Sequence, residues 1–123
     1  MDHKVLIIDD EKVLLEGLVD YLEDETDFLV LVSTSGEEAI GLLQNYAPTV
    51  CIVDMRLPGM TGDEFIRKAA TILENCLFII HTGSLDYQIP EDLMHLGIKQ
   101  ENVLGKPVAD MAIFLDIIKR ERG

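Results

Sequence analysis

The sequence predicts an α/β protein in which a five-stranded parallel sheet, with strand order 2-1-3-4-5, lies between two layers of helices. Three observations lead to that class. Short, continuously apolar runs occupy 5–8, 28–32, 50–53 and 77–80, with a weaker one at 103–104. A strand buried on both faces reads as such an unbroken run, whereas a half-exposed strand alternates. Between the runs, apolar residues return at the spacing of a helix face. The resulting strand-then-helix unit repeats five times, which implies crossover connections and a parallel sheet. With only five units, this order fits better than the six-stranded dinucleotide-binding one.

Each element has a local reason. The first run, Val5–Ile8, stops at Asp9, Asp10 and Glu11, and Leu14, Leu18, Tyr21 and Leu22 then line one helical face. After Phe28–Val32, "SGEE" at Ser35–Glu38 fits a capping box, in which the first hydroxyl and the fourth carboxylate satisfy free amides at a helix start. Ala39, Leu43 and Tyr46 continue that helix. Following Val50–Val53, "TGDE" at Thr61–Glu64 repeats the capping signal for a third helix. Leu77–Ile80 is the fourth run, and Pro90 before Glu91 and Asp92 suits the first turn of a fourth helix. Val103–Leu104 precedes a fifth helix carrying Met111, Phe114, Leu115 and Ile118. Ile113 and Ile117 widen its apolar face, either as ordinary packing or as a dimer or partner surface.

Composition bounds the function. A chain of 123 residues with 48% hydrophobic and 27% charged residues is one domain, spanning 1–123. No apolar stretch approaches the roughly 20 residues of a membrane span. The start "MDHKVLIIDD" lacks the form of a secretory signal, which points to the cytoplasm. Cys51 and Cys76 sit within or beside apolar runs with no CxxC, as small reduced core residues. His3, His81 and His95 are scattered without zinc-ligand spacing. A net charge of −13 repels phosphate backbones and so excludes nucleic acid and anionic lipid as partners of this chain alone, leaving a basic partner or a divalent cation.

The five-unit sandwich is the flavodoxin-like arrangement, and it binds ligands beyond the carboxyl ends of the strands, near the switch point between strands 1 and 3. The first strand ends in Asp9 and Asp10, the third in Asp54, the fourth in Thr82 and the fifth in Lys106. Each has a plain structural role available. Asp9 or Asp10 can cap the first helix, Asp54 can open the turn of "LPGMTG", Thr82 can be a loop hydroxyl, and Lys106 a solvated charge. Those roles do not explain why the acids and the base fall together on one rim. Metal-assisted phosphoryl transfer to a carboxylate does. Asp9, Asp10 and Asp54 contribute −3, Lys106 contributes +1, and a magnesium ion at +2 brings the sum to zero. Without it, clustered carboxylates raise one another's pKa.

The acidic pair after strand 1, "VDMRLPGMTG" around strand 3, Thr82 after strand 4 and "KP" at Lys106–Pro107 together resemble the receiver domain of two-component response regulators. The resemblance covers essentially the whole chain. It implies that Asp54 accepts a phosphoryl group from the phosphohistidine of a sensor histidine kinase or phosphotransfer protein. It further implies that Asp10 binds magnesium, or manganese in its place, directly and Asp9 through water, with Asp54 and the main-chain carbonyl of Arg56 completing the ligands. Lys106 pairs with the phosphoryl oxygens, and the Thr82 hydroxyl and Gly83 amide donate to them. Arg56 and Ser84 flank the incoming group, Lys106–Pro107 is cis, and the switching face is helix 4, strand 5 and helix 5. On this reading the chain is a phosphoacceptor that catalyses its own phosphorylation and slowly loses the group, rather than an enzyme.

One departure stands out: the family's aromatic switch residue, three positions before the lysine, is Val103 here. A valine cannot make the same inward swing. Two other readings compete. A receiver-like interaction module that takes no phosphate draws on Val103. A magnesium-dependent phosphatase of the haloacid dehalogenase type needs an acid two residues beyond its Asp nucleophile, where this chain has Arg56.

Overall fold

The computed structural model describes residues 3–84 and 86–122. Its strands are β1 (Lys4–Ile8), β2 (Leu29–Ser33), β3 (Val50–Val53), β4 (Leu77–Thr82) and β5 (Val103–Gly105). They form one parallel sheet in the order β2-β1-β3-β4-β5, as predicted. The helices are α1 (Lys12–Glu25), α2 (Gly36–Tyr46), α3 (Gly62–Ile72), α4 (Glu91–His95) and α5 (Ala112–Arg122), with a 3-10 turn at Gln100–Asn102.

Side-chain alternation along the strands divides the core into two layers. Leu6, Ile8, Cys51, Val53, Phe78 and Ile80 point to one face and are covered from α2, α3 and α4 by residues such as Leu43, Phe65 and Leu93. Val5, Ile7, Val50, Ile52 and Ile79 point to the other, beneath Leu15, Leu18 and Leu22 of α1 and Phe114, Ile117 and Ile118 of α5. Both faces of β1, β3 and β4 are therefore buried, which is why their sequences are apolar without alternation. The edge strand β2 is only half covered, and Leu29 and Val32 stay exposed.

Several local expectations need correction. Thr61 and Glu64 close a full capping box at α3, but at α2 only half of one forms, with the Ser35 hydroxyl accepting from the Glu38 amide. Pro90 is the N-cap of α4 rather than part of its first turn. That helix is only five residues long because the chain turns out at Gly97, whose φ of 94° lies in the left-handed region open to glycine. Ile117 is buried in the core, so the extra apolar surface expected on α5 reduces to Ile113. In α1 the innermost side chain of the first turns is Leu15, with Leu14 half-buried beside it. Among the described residues no helix is long and apolar enough to cross a membrane.

Candidate phosphoryl-acceptor site

The sheet ladder delivers the acidic and basic groups to one rim. Beyond the last strand residues, the Asp9 amide donates to Ser33 O at 3.0 Å, the Asp54 amide to Ile8 O at 3.0 Å, and the Lys106 amide to Thr82 O at 2.9 Å. Three side chains from β1, β3 and β5 are thus anchored by backbone to adjacent strands. The turn after β3 is held by the α3 start. The Gly62 amide donates to Met55 O at 3.2 Å, and a Cβ at Gly62 would run into the carbonyl oxygen of Asp54. Only glycine lets α3 begin this close to the Asp54 backbone.

Lys106 is the centre of the cluster. Its Nζ lies 2.7 Å from Asp9 Oδ2, 3.0 Å from Asp54 Oδ2 and 3.0 Å from Glu11 Oε1. The Lys106, Asp9 and Asp54 side chains are 6%, 5% and 4% exposed, so these charges face each other with little water between them. Asp9 Oδ1 also accepts from the Glu11 amide at 2.9 Å, and Asp54 Oδ1 from the Arg56 amide at 3.3 Å. Burial pushes the Asp54 carboxyl above its usual range, and the hydrogen bond and charge of Lys106 only partly oppose that. Burial alone would pull the Lys106 ammonium down, but its bonds to Asp9, Asp54 and Glu11 outweigh it and hold the ammonium above its ordinary value.

The carboxylate oxygens of Asp9, Glu11 and Asp54 lie within 4.8 Å of one another. Their −3 against the +1 of Lys106 leaves −2, a sum that fits one divalent cation of the oxygen-seeking kind. Asp10, expected as the direct ligand, is exposed beside this group, and Glu11 is its third member. The signal for Glu11 was present as the third acid of the run after β1, but what draws it inward is Lys106, 95 positions away.

The remaining expected residues lie at the end of β4, in the loops that follow β3 and β4, and on β5. Thr82 ends β4, is 2% exposed, and its hydroxyl accepts from the Ser84 amide at 3.2 Å. Gly83 is exposed, and a side chain there would meet nothing within 4 Å among the described residues. Arg56 Nε donates to Ser84 Oγ at 2.9 Å, joining the loops that follow β3 and β4. Val103, half-buried, opens β5, and the Lys106–Pro107 bond is cis as the resemblance implies.

His81, read in the sequence only as a histidine without zinc-ligand spacing, is the neighbour of the site that sequence reasoning gave no role. It sits in β4 directly before Thr82, is 7% exposed, packs edge-on against Phe114 at 5.2 Å, and its Nε2 has no hydrogen-bond partner among the described residues. Burial, with the nearby Lys106 charge, lowers its pKa to about 4. The imidazole is therefore neutral at physiological pH. A histidine directly after the apolar run 77–80 and before Thr82 was the available signal.

Comparison with known proteins agrees with the fold. The response regulator receiver domain model matches residues 5–118. "Uncharacterized transcriptional regulatory protein YesN" of Bacillus subtilis is 29% identical over 113 residues, covering 90% of this chain and 30% of that protein. "Sporulation initiation phosphotransferase F" of the same organism is 26% identical, covering 79% and 77% of the two chains. A CheY-like receiver domain protein from Methanospirillum hungatei superposes with a TM-score of 0.79 at 25% identity, covering 98% of this chain and 93% of that one. The chain spans less than a third of the length of the first of these relatives.

Proposed function

The chain belongs to the response regulator receiver domain family, and from that premise we propose that Asp54 is the residue through which it receives a signal, as the acceptor of a phosphoryl group from the phosphohistidine of a histidine kinase or phosphotransfer protein. The observation that carries this reading is the Lys106 ammonium held between the buried Asp9 and Asp54 carboxylates, 2.7 and 3.0 Å away. A buried cluster of like charges is costly. It is kept where a larger negative charge has to be received.

Asp54 acts as the nucleophile. A carboxylate oxygen forms a bond to phosphorus as the phosphorus–nitrogen bond to the donor imidazole breaks, and the product is an acyl phosphate. Little covalent chemistry is left to other side chains, since such transfers run on positioning and charge neutralisation. The Arg56 amide fixes one Asp54 oxygen, leaving the other, now bound to Lys106, to react. Lys106 then pairs with the phosphoryl oxygens, and the Thr82 hydroxyl at the end of β4 and the Gly83 amide after it donate to them. Asp10 directly and Asp9 through water, with Asp54, the Arg56 carbonyl and the neighbouring Glu11, would hold magnesium or manganese, which would supply neutralisation of the charge gathered on the transferred group. No proton shuttle is required, so the domain is a self-catalysing phosphoacceptor and not a turnover enzyme.

Phosphorylation replaces one negative charge by about two and adds strong acceptors. Thr82 and Lys106, on β4 and β5, are the groups that respond, and the face formed by α4, β5 and α5 shifts with them. Val103 is too small to report that shift as an aromatic would, so movement passes through the Thr82–Ser84 loop. This face, where Ile113 and Met94 are exposed, is the surface for a second copy or an output partner, and the cytoplasm is where the kinase partner would meet it.

Incubation with acetyl phosphate, with and without Mg²⁺, and intact-mass readout tests the reading. We expect a magnesium-dependent gain of one phosphoryl group. No gain on rapid sampling leaves a receiver-shaped interaction module instead.

A further inference from the structure

Cys51 and Cys76, 25 positions apart and separately read as inert core residues, touch: their sulfurs are 3.7 Å apart. Cys51 is fully buried in the central strand β3, and Cys76 ends the short connection between α3 and β4. Phe78 is the register partner of Cys51, so Cys76 lies two positions earlier on the same sheet face. Both thiols are free. Cys76 is only half-buried and opens onto two surface clefts, one of about 190 Å³ shared with Asn75, Leu96 and Arg122 and one of about 160 Å³ shared with Ala70 and Leu73. A small oxidant can therefore reach one sulfur of the pair and not the other.

We propose that Cys76 and Cys51 are a redox-responsive dithiol, in which Cys76 meets a peroxide from the cleft and Cys51 resolves the product to a disulfide. The step balances. The Cys76 thiolate sulfur attacks a peroxide oxygen, the O–O bond breaks, and the departing hydroxide takes a proton to leave as water, giving a sulfenic acid. The Cys51 sulfur then attacks the sulfenic sulfur. The S–O bond breaks, and the Cys51 proton leaves with the hydroxyl as a second water. Two thiols and one hydrogen peroxide become one disulfide and two waters.

The division of roles follows from burial. Desolvation, and the bond to Cys76, push the Cys51 thiol well above its usual range, which suits a group that waits protonated and suits it poorly as the first nucleophile. A bridge needs the two Cα atoms within about 7 Å. Cys51 is fixed in the sheet, so the approach falls to Cys76, which follows Asn75 at a left-handed φ of 56° in a connection outside regular structure. The bridge would tie β3 to β4 at the end of the sheet opposite the carboxylates. It gives the domain a second covalent input, carried by an oxidant and separate from Asp54. Disulfides in reducing compartments are commonly of this transient, sensing kind.

The test treats the reduced chain with hydrogen peroxide under native conditions, blocks remaining thiols in denaturant and maps the peptides without reductant. The expected result is loss of both alkylatable thiols, loss of two hydrogen atoms from the intact mass, and one linked peptide joining Cys51 to Cys76 within a single chain. In Cys51→Ala, dimedone should trap a sulfenic acid at Cys76; in Cys76→Ser, Cys51 should stay reduced. Two thiols that remain alkylatable, a sulfinic acid at Cys76 beside a free Cys51, or links formed only between chains would each overturn the proposal. The wild-type map decides the matter by itself should either variant fail to fold.

Discussion

The Lys106 ammonium lies 3.0 Å from Asp54 Oδ2, and both side chains are at least nine-tenths buried. The same ammonium binds Asp9 and Glu11, so one cation offsets three acids. Removing it should be costly, because it strands like charges in a water-poor site. Lys106→Met should lower folding stability by about 3 kcal/mol in metal-free buffer, and added Mg²⁺ should restore part of the loss. A loss below about 1 kcal/mol by denaturant titration would show that the acids are not electrostatically clustered.

Asp54→Asn should act in the opposite sense. Because burial raises the Asp54 pKa, its charged form is the strained one, and its favourable contribution is present at low pH and lost as pH rises through the folded value. The variant should match or exceed the wild type in melting midpoint at neutral pH, and any gain should shrink as the pH falls toward about 4. A variant less stable than wild type by more than about 1 kcal/mol at neutral pH would mean that the Lys106 pairing outweighs burial.

His81 gives the reverse pH signature. Its folded pKa of about 4, below the ordinary 6.5, makes the unfolded chain bind the extra proton. Stability from this group is complete above 6.5 and is lost as pH falls toward 4, with a ceiling of about 3 kcal/mol. His81→Leu should flatten the melting profile across that window. An unchanged profile would show that other groups set the acid limb.

Two glycines beside the site should respond oppositely to the same change. At Gly62 a methyl group meets the Asp54 and Met55 backbone, whereas at Gly83 it meets nothing within 4 Å among the described residues. Gly62→Ala should cost about 2 kcal/mol or more and loosen the Lys106–Asp54 pair, while Gly83→Ala should stay within about 0.5 kcal/mol of wild type. Equal midpoints for the two variants would contradict the close approach of α3.

How much of this was legible in the sequence depends on whether neighbours or distant residues decide a feature. The strands were legible because both sheet faces are buried, and an unbroken apolar run has no other efficient use. Their ends were not. The β4 ladder continues through the polar His81 and Thr82, which apolarity alone does not mark. The stop of α4 at Gly97 and the half-formed cap at Ser35 likewise depend on local backbone that residue type only suggests. At the site, Asp9, Asp54 and Lys106 could be foreseen to converge, since strand order alone brings them together. Glu11 joining Asp9 and Asp54, Ser84 meeting Arg56, and Cys51 touching Cys76 could not, because each contact depends on side-chain direction across loops.

The most direct measurement of the central claim locates the phosphoryl group. After phosphorylation with acetyl phosphate and Mg²⁺, borohydride reduction converts an aspartyl phosphate to homoserine, and peptide mass spectrometry reads its position. The account predicts homoserine at position 54 alone. Homoserine at position 9 or 10, or none anywhere in a chain that has gained phosphoryl mass, would contradict it.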